Sequence, residues 1–345
     1  MKKPLIIVTG GCGYIGSHTL CELIEAGYDV ISIDNISRSS ENVLSFVEKI
    51  TGRLVFNYNI DLCSASEVEQ TFSQLEGVVG LIHFAAFKSV PESVASPESY
   101  YHNNIASLVN VLQACAKHTI RNVVFSSSCS VYGDIETLPV SESTPLSAPK
   151  SPYAATKVMG EIIVKDIAAA HGISAMCLRY FNPVGAHQSG MLGEMPLHTP
   201  DNLVPVITQT AIGKRPFMRV FGGDLPTRDG SCIRDYVHVS DIAQAHVLAL
   251  QYLQQQPTQF DIVNLGTGSG VSVLEAIKTF ETVSGQKLSY QVGPPREGDV
   301  VEIYSNVEKA STTLGWKPKR NLEDMMLSAW KWEQRLAMLQ KEPSL

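Results

Sequence analysis

The sequence predicts a doubly wound parallel α/β sheet with a smaller α/β lobe interleaved into it. Three observations carry that expectation. Short β-branched runs alternate with longer helical stretches through the first half, a glycine-rich turn separates the first strand from the first helix, and an acidic residue closes the second strand.

Taken in order, Leu5-Ile-Ile-Val8 reads as a strand buried on both faces, because consecutive apolar residues leave no side for water. His18 to Ala26 places Leu20, Leu23 and Ile24 on one helical face, and Gly27 stops that helix before a second strand, Asp29 to Ile33. Val55 to Ile60, Gly80 to His83 and Asn122 to Phe125 supply further strands, with helices around Glu67 to Gln74 and Asn104 to Lys117. After about Arg179 the texture changes and loops dominate up to Pro200. Ile233 to Val239 then reads as a strand, Asp241 to Leu250 as a helix and Phe260 to Asn264 as a last strand returning to the first sheet. The division expected from this pattern is a dinucleotide-binding domain over 1–182, with returning segments at about 233–268, and a smaller lobe over 183–232 and 269–345.

Composition narrows the function classes. The chain has 345 residues, 44% of them hydrophobic and 18% charged, which excludes disordered and disulfide-stapled classes. With 27 basic and 34 acidic residues the net charge is -7, so no broad basic face is available for nucleic acid. A small anion held by a few local cations remains compatible with that sum. Seven cysteines without a CxxC pair suggest neither a disulfide framework nor a zinc site, and point to a reducing compartment, the cytoplasm. The apolar run behind Lys2 and Lys3 is too short for a signal peptide or a membrane span, so no membrane partner is expected.

The segment Thr9-Gly-Gly-Cys-Gly-Tyr-Ile-Gly-Ser17 carries Gly10, Gly13 and Gly16 at three-residue spacing between a strand and a helix. Glycines there permit a tight turn and close approach of a pyrophosphate to the helix N–H groups. Asp34 follows at about the 20-residue offset where a carboxylate accepts the adenosine ribose hydroxyls. A carboxylate repels a 2′-phosphate, so NAD is favoured over NADP, with Arg38 the one nearby cation that weighs the other way. Asp61 has two open readings, the adenine amino group or a helix amino cap. Farther along, Ser126-Ser-Ser128 ends a strand, and Tyr153 and Lys157 fall four apart on one helical face. An ammonium beside a phenol is expected to lower its pKa and make the tyrosine a usable base near neutral pH.

Together, TGGCGYIGSH, Asp34-Asn35, His83-Phe-Ala-Ala86 with Lys88, Ser126-Ser-Ser128, Tyr153-x-x-x-Lys157, Arg179-Tyr-Phe-Asn-Pro-Val-Gly-Ala186, Arg234-Asp-Tyr-Val-His238, Asn264-Leu-Gly266 and Arg296-Glu-Gly-Asp299 resemble the UDP-glucose 4-epimerase family of the extended short-chain dehydrogenase/reductase superfamily. The matches run in order from about residue 5 to 320. The resemblance implies an isomerase that holds NAD, oxidises a UDP-sugar at C4 to a transient ketone and reduces it from the other face. It implies Tyr153 as acid and base, Lys157 on the nicotinamide ribose, and Ser128 on the reacting hydroxyl. Gly10, Gly13, Tyr14, Ile15, Gly16, Asp34, Asn35, Asp61, Leu62, Phe84, Ala85, Ala86, Lys88, Asn103 and Phe181 would surround the cofactor. Lys88, Asn182, Asn202, Arg234, Arg296, Asp299 and Ile303 would contact the UDP-sugar, the two arginines clamping phosphates and Asp299 the ribose. A homodimer through helices near Asn104 to Lys117 and Ser151 to Ala170 is also implied.

One departure stands out. Many members carry an aromatic residue four places after the aspartate of the Arg296-Glu-Gly-Asp299 motif, whereas this chain has Ile303. A smaller side chain leaves room for a 2-acetamido group, so N-acetylated UDP-hexosamines are candidate substrates alongside UDP-glucose and UDP-galactose. The rivals are a nucleotide-sugar 4,6-dehydratase, which needs an extra acid and base where Cys129 and Ser130 stand, and a non-catalytic NAD sensor, which has no need of Ser128, Tyr153 and Lys157. His18, His83 and His187 have no metal-site spacing and suit packing or capping.

Overall fold

Continuous apolar runs need cover on both faces, and the chain meets that need by building one parallel sheet between two helical layers. The computed structural model describes residues 3–196, 200–256, 260–295 and 300–340. The sheet strands are β1 (Leu5–Thr9), β2 (Asp29–Ile33), β3 (Phe56–Tyr58), β4 (Val78–His83), β5 (Asn122–Ser128), β6 (Ser174–Tyr180) and, much later in the chain, β11 (Phe260–Leu265). They lie in the order β11-β6-β5-β4-β1-β2-β3, all parallel. The order reverses between β1 and β4, which opens a crevice at their carboxyl ends where open α/β sheets take ligands.

On one face, α1 (Tyr14–Glu25), α2 (Asn42–Thr51), α9 (Val239–Gln255) and α11 (Glu308–Leu314) bury Leu20, Leu23, Phe46, Leu250 and Leu314 against Ile6, Val8 and Val124. On the other, α3 (Ala65–Phe72), α6 (Ser107–Lys117) and α7 (Pro152–His171) bury Phe72, Leu112 and Val164 against Ile7, Phe125 and Cys177. Each such large side chain contributes roughly 1.5–3 kcal/mol on leaving water. Two short helices, α4 (Val90–Ala95) and α5 (Pro97–Tyr101), lead through a π-helical turn at His102–Ala106 into α6.

The rest of the chain forms smaller pieces: β7 (Asn182–Val184) pairs with β10 (Tyr236–His238), and β8 (Met218–Phe221) with β13 (Tyr290–Gly293). A three-stranded group joins β12 (Val271–Ser272), β9 (Ile233–Arg234) and β14 (Glu302–Ile303). A separate core of Ile207, Val220, Phe280, Met326 and Trp330 packs α8 (Leu203–Ala211), α10 (Val273–Ser284) and α12 (Leu322–Leu339) around these strands.

Some expected bounds shift, for identifiable reasons. The first helix begins at Tyr14, one turn before His18, because Gly13 already serves as its amino cap. The fifth strand continues through the serines to Ser128, since pairing with β6 satisfies their backbone. Ile233 to Val239 is not one strand. Asp235, buried at 0% exposure, breaks it: its Oδ1 accepts from Thr267 N and Thr267 Oγ1, and its Oδ2 from Ser305 N, Ser305 Oγ and Gly268 N. The two halves therefore join different small sheets, and only β11 of this returning region enters the main sheet.

Candidate active site

The glycine turn shapes the crevice. Gly10 sits at φ +69°, and a Cβ there would lie 2.8 Å from Ala85 N. A Cβ on Gly16 would lie 2.2 Å from Gly10 O, so only glycine lets α1 start this close to β1. The amino end of α1 carries no side-chain cap and no acid in its first turn, so it presents its N–H groups to an anion. Asp34, 9% exposed, closes β2 and accepts from Cys12 N at 3.1 Å, Ile36 N at 2.9 Å and Ser39 Oγ at 2.9 Å. Burial pushes its pKa up, and those three bonds hold it down. A carboxylate has about four acceptor positions, so Asp34 ties the turn to β2 and still has capacity for a ribose hydroxyl. Arg38 is committed elsewhere, at 2.5 Å from Glu92 Oε1 and 4.6 Å from the Phe87 ring centre. Cradle, helix end and carboxylate fit a dinucleotide without a 2′-phosphate.

The other expected cofactor contacts vary in placement. Ile15, Phe84, Ala85 and Ala86 are half-buried, Phe84 4.6 Å from the His246 ring. Asn35 is exposed and accepts from Ser37, and Leu62 is buried with its carbonyl held by Asn110. Asp61 accepts from Cys63 N, but the cap of α3 is Ser64, so the cap alternative for Asp61 does not hold. Asn103 lies in the π-helical turn and donates to Asn104 Oδ1 at 3.0 Å. Phe181, 2% exposed, packs 6.4 Å from Tyr132. Tyr14 donates to Gly185 O at 2.6 Å, and Lys88 meets Glu194 at 2.9 Å. Both side chains thus reach across to the 185–194 loop.

The serine, tyrosine and lysine converge at the end of β5. Ser151 caps α7 by accepting from Ala154 N at 3.2 Å, and Pro152 fits the first turn, which fixes where Tyr153 and Lys157 fall. Ser128 lies close enough to Tyr153 to draw its phenol down, and Ser128 Oγ accepts from Ser130 N at 3.2 Å. Lys157 Nζ donates to Ser126 O at 2.6 Å and Ser126 Oγ at 3.2 Å, and lies 6.0 Å from the Tyr153 ring centre. Burial pushes the phenol up to about 12 and the ammonium down to about 8. This corrects the expectation that the lysine lowers the phenol. The lysine is bonded to the strand end, and desolvation of the phenol outweighs the pull of Ser128. Cys12 and Cys129 flank the site as thiols, each pushed up to about 12 by burial.

A cavity of about 530 Å³ is lined among others by Tyr14 of α1 and by Asn182, Glu194, Asn202, Phe217 and Arg234. Asn182 Nδ2 is buried with no partner among the described residues, and Asn202 occupies the amino-cap position of α8 with its side chain making no cap bond. Arg234 Nη1 donates to Ile233 O at 2.9 Å. Ile303, 6% exposed, packs with Phe181, Tyr132, Val131 and Val140. Arg296 and Asp299 lie outside the described residues. Sequence reasoning missed Glu194, whose only signal is its place in an aperiodic loop, and Glu161, which stands one helical turn after Lys157. Among the described residues no group of three or more His, Cys, Asp and Glu side chains is arranged to hold a metal ion.

Comparison with known proteins agrees with this geometry. The NAD dependent epimerase/dehydratase family matches residues 6–266. A UDP-glucose 4-epimerase of Bacillus subtilis is 46% identical over 329 residues, 95% of this chain and 96% of the relative, and one from Schizosaccharomyces pombe is 43% identical over 97% and 95%. Among solved structures, the UDP-glucose 4-epimerase of Stenotrophomonas maltophila with bound NAD and formylated UDP-arabinopyranose superposes at TM-score 0.94, with 39% identity over 98% and 99% of the chains. That of Bifidobacterium longum, in complex with NAD+ and UDP, gives 0.91 at 41% identity over 96% and 98%. A cradle that fits a dinucleotide, a tyrosine and a lysine at the end of β5 and kinship along nearly the whole length lead to one conclusion: the chain belongs to the NAD dependent epimerase/dehydratase family, among its UDP-glucose 4-epimerases.

Proposed function

We propose that the protein interconverts UDP-galactose and UDP-glucose by epimerisation at C4 through a transient 4-keto sugar. The observation that carries this is the meeting of Ser128, Tyr153 and Lys157 at the carboxyl end of β5, next to β4 and the crevice. NAD, when bound, supplies the acceptor and donor of hydride at C4 and a cationic ring that favours a phenolate beside it. Tyr153 Oη takes the proton of the 4-hydroxyl as C4 is oxidised and returns it after the keto sugar has turned over. Ser128 Oγ holds that hydroxyl in line, and Lys157 keeps a positive charge below the phenol and reaches the nicotinamide ribose. Phe181, Asn103 and Lys88 sit where they can border the cofactor. Asn182 offers its orphaned Nδ2 to the nucleotide sugar, Asn202 faces the diphosphate, and Arg234 supplies a cation to it, a role it shares in this reading with Arg296, while Asp299 takes the ribose. Purified protein given UDP-galactose with no added cofactor is expected to form UDP-glucose. A 4-keto-6-deoxy product would instead establish the dehydratase, which Cys129 and Ser130 disfavour because neither is an acid or base of the required strength.

The domain division, 1–182 with about 233–268 against 183–232 with 269–345, is part of this reading and is supported by the distinct core around Phe280 and Trp330. A homodimer is supported by Val90, Val94, Tyr101, Met159 and Ile162, which expose apolar surface on α4, α5 and α7. Light scattering would detect the dimer, and a monomer at micromolar concentration would overturn it. Free cysteines support a cytoplasmic setting, and among the described residues no helix is long and apolar enough to cross a membrane. Ile303 in place of an aromatic residue supports acceptance of the N-acetylated pair, a capacity that a solved relative from Campylobacter jejuni carries in its description as a UDP-Glc/GlcNAc 4-epimerase.

A further inference from the structure

Beneath Tyr153 and Lys157 lies a charged network that the reaction as described leaves unused. Tyr153, Lys157 and Glu161 occupy positions i, i+4 and i+8 of α7, one stripe down the helix. Two of these turns grip the strand end, Lys157 donating to Ser126 O at 2.6 Å and Ser127 Oγ donating to Glu161 Oε1 at 2.5 Å, while Tyr153 stands beside Ser128. Arg179, directly across from Ser127 on β6, closes a bidentate pair with the carboxylate, Nε to Oε1 at 2.8 Å and Nη2 to Oε2 at 2.6 Å. Its guanidinium lies 5.0 Å from the Tyr132 ring centre, and Tyr132 Oη donates to Asn264 Oδ1 at 2.6 Å. The network is dry: Glu161 is 5% exposed, Arg179 3%, and Ser127, Tyr132 and Asn264 are fully covered.

A buried ion pair is weak as a source of stability, because well-packed apolar residues of similar volume often serve as well or better. Its value here is geometric and electrostatic. We infer that Glu161 is a positioning residue for the reaction: clamped by Arg179, it fixes the 126–128 strand end against α7 and keeps Lys157 an ammonium ion. The groups facing Lys157 leave the carboxylate to do this. Cys177 on β6 is a thiol driven well up by burial, Cys129 is held up likewise, His83 on β4 is held neutral, and Tyr153 and Tyr180 are neutral phenols. Burial drives the lysine down, and Cys177 and then Glu161 oppose it, Cys177 only as a thiolate that its own burial disfavours, which leaves Glu161 as the standing negative charge.

This inference rests on the catalytic roles proposed above and is tested separately from them. Glu161→Gln keeps the shape and the Ser127 bond but removes the charge. Its kcat on UDP-galactose is expected to fall about 10-fold with little change in KM, and the alkaline limb of its kcat profile to move down by about 1 pH unit, the equivalent of one tenfold step in proton affinity. Glu161→Asp retains the charge and is expected to restore the limb. The double variant Glu161→Leu with Arg179→Met removes both charges and leaves only the Ser127 hydroxyl without its partner, so it is expected to stay folded with a modest loss of thermal stability yet to show the same loss and shift. A folded double variant with wild-type kcat and an unmoved limb would overturn the proposal. Should the charge variants fold poorly, Ser127→Ala leaves the ion pair whole and still reads the strand-end tie: reduced kcat supports it, wild-type kcat refutes it. Activity surviving in Tyr153→Phe would instead overturn the catalytic reading itself.

Discussion

The end of β5 and the cavity are built on opposite plans. At the strand end the charged groups are paired: Lys157 holds Ser126, and Glu161 holds Ser127 and Arg179, with Ser130 Oγ and Arg179 Nη1 left without partners among the described residues. In the cavity, groups are held in reserve or parked. Asn182 Nδ2 has no partner among the described residues, the Asn202 side chain makes no cap bond to α8, and Lys88 rests on Glu194. In the proposed function the reacting groups sit in regular structure, while substrate recognition falls to the loops that line the cavity. That division suits an enzyme whose cofactor stays and whose sugar must turn over within the pocket.

The largest break in the comparison comes from the prepared side. Tyr153→Phe removes the acid/base oxygen and leaves the packing, so turnover of UDP-galactose is expected to fall by about 10²–10⁴-fold while bound NAD is retained. Conversion measured without added cofactor, together with the absorbance of extracted NAD, checks both halves of that statement. Next in size is Gly16→Ala. Its Cβ would meet backbone at 2.2 Å, which no side-chain rotation relieves, so the first turn of α1 must move away from β1. A loss of about 1–3 kcal/mol of stability and release of NAD on gel filtration are expected. Wild-type melting and full NAD content would show that the crevice is as adaptable as the cavity.

Acid sharpens the same contrast. His83 and His246 lie beneath the prepared end, His83 Nδ1 2.8 Å from Thr9 Oγ1 and His246 between Phe84 and Tyr180. Burial lowers His83 to about 3 and His246 to about 4 in the folded state. Above the ordinary histidine value near 6.5 both states are neutral and nothing is lost. As pH falls below it the unfolded chain takes up protons that the folded chain refuses, so stability drops through the window from about 6.5 down to 4. Each such histidine contributes about 1.4 kcal/mol per pH unit there, and His246→Asn should flatten the slope of melting temperature against pH by that share. An unchanged slope would mean that the ring is hydrated in solution.

How much of this was legible in the sequence follows the same division. The glycine turn, Asp34, the strand serines and the Tyr153–Lys157 spacing are local signals, readable because a strand, a turn and one helix set their geometry. Glu161 with Arg179, Asp235 as the breaker of the 233–238 segment, and Lys88 with Glu194 are pairings between distant segments. No periodicity records them, since each depends on strand order and on loops that the fold brings together. The start of α1 was misplaced for a related reason: a glycine cap has no side chain to announce it.

The finest test concerns the border between the two regions, where Ile303 packs on Phe181 and Tyr132. The side chain belongs to the packed side, and in the proposed reading its bulk sets the space left for the sugar. Ile303→Tyr adds a ring that the cluster can admit only by pushing it toward the cavity. UDP-galactose turnover is expected to stay within about 3-fold of wild type, while turnover of the acetamido pair falls by about 10-fold or more, the scale of a group that no longer fits. Rates on both sugar pairs for both proteins decide it. Equal losses on the two pairs would mean that the added ring disturbs the catalytic end, and that position 303 belongs to the machinery and not to the choice of sugar.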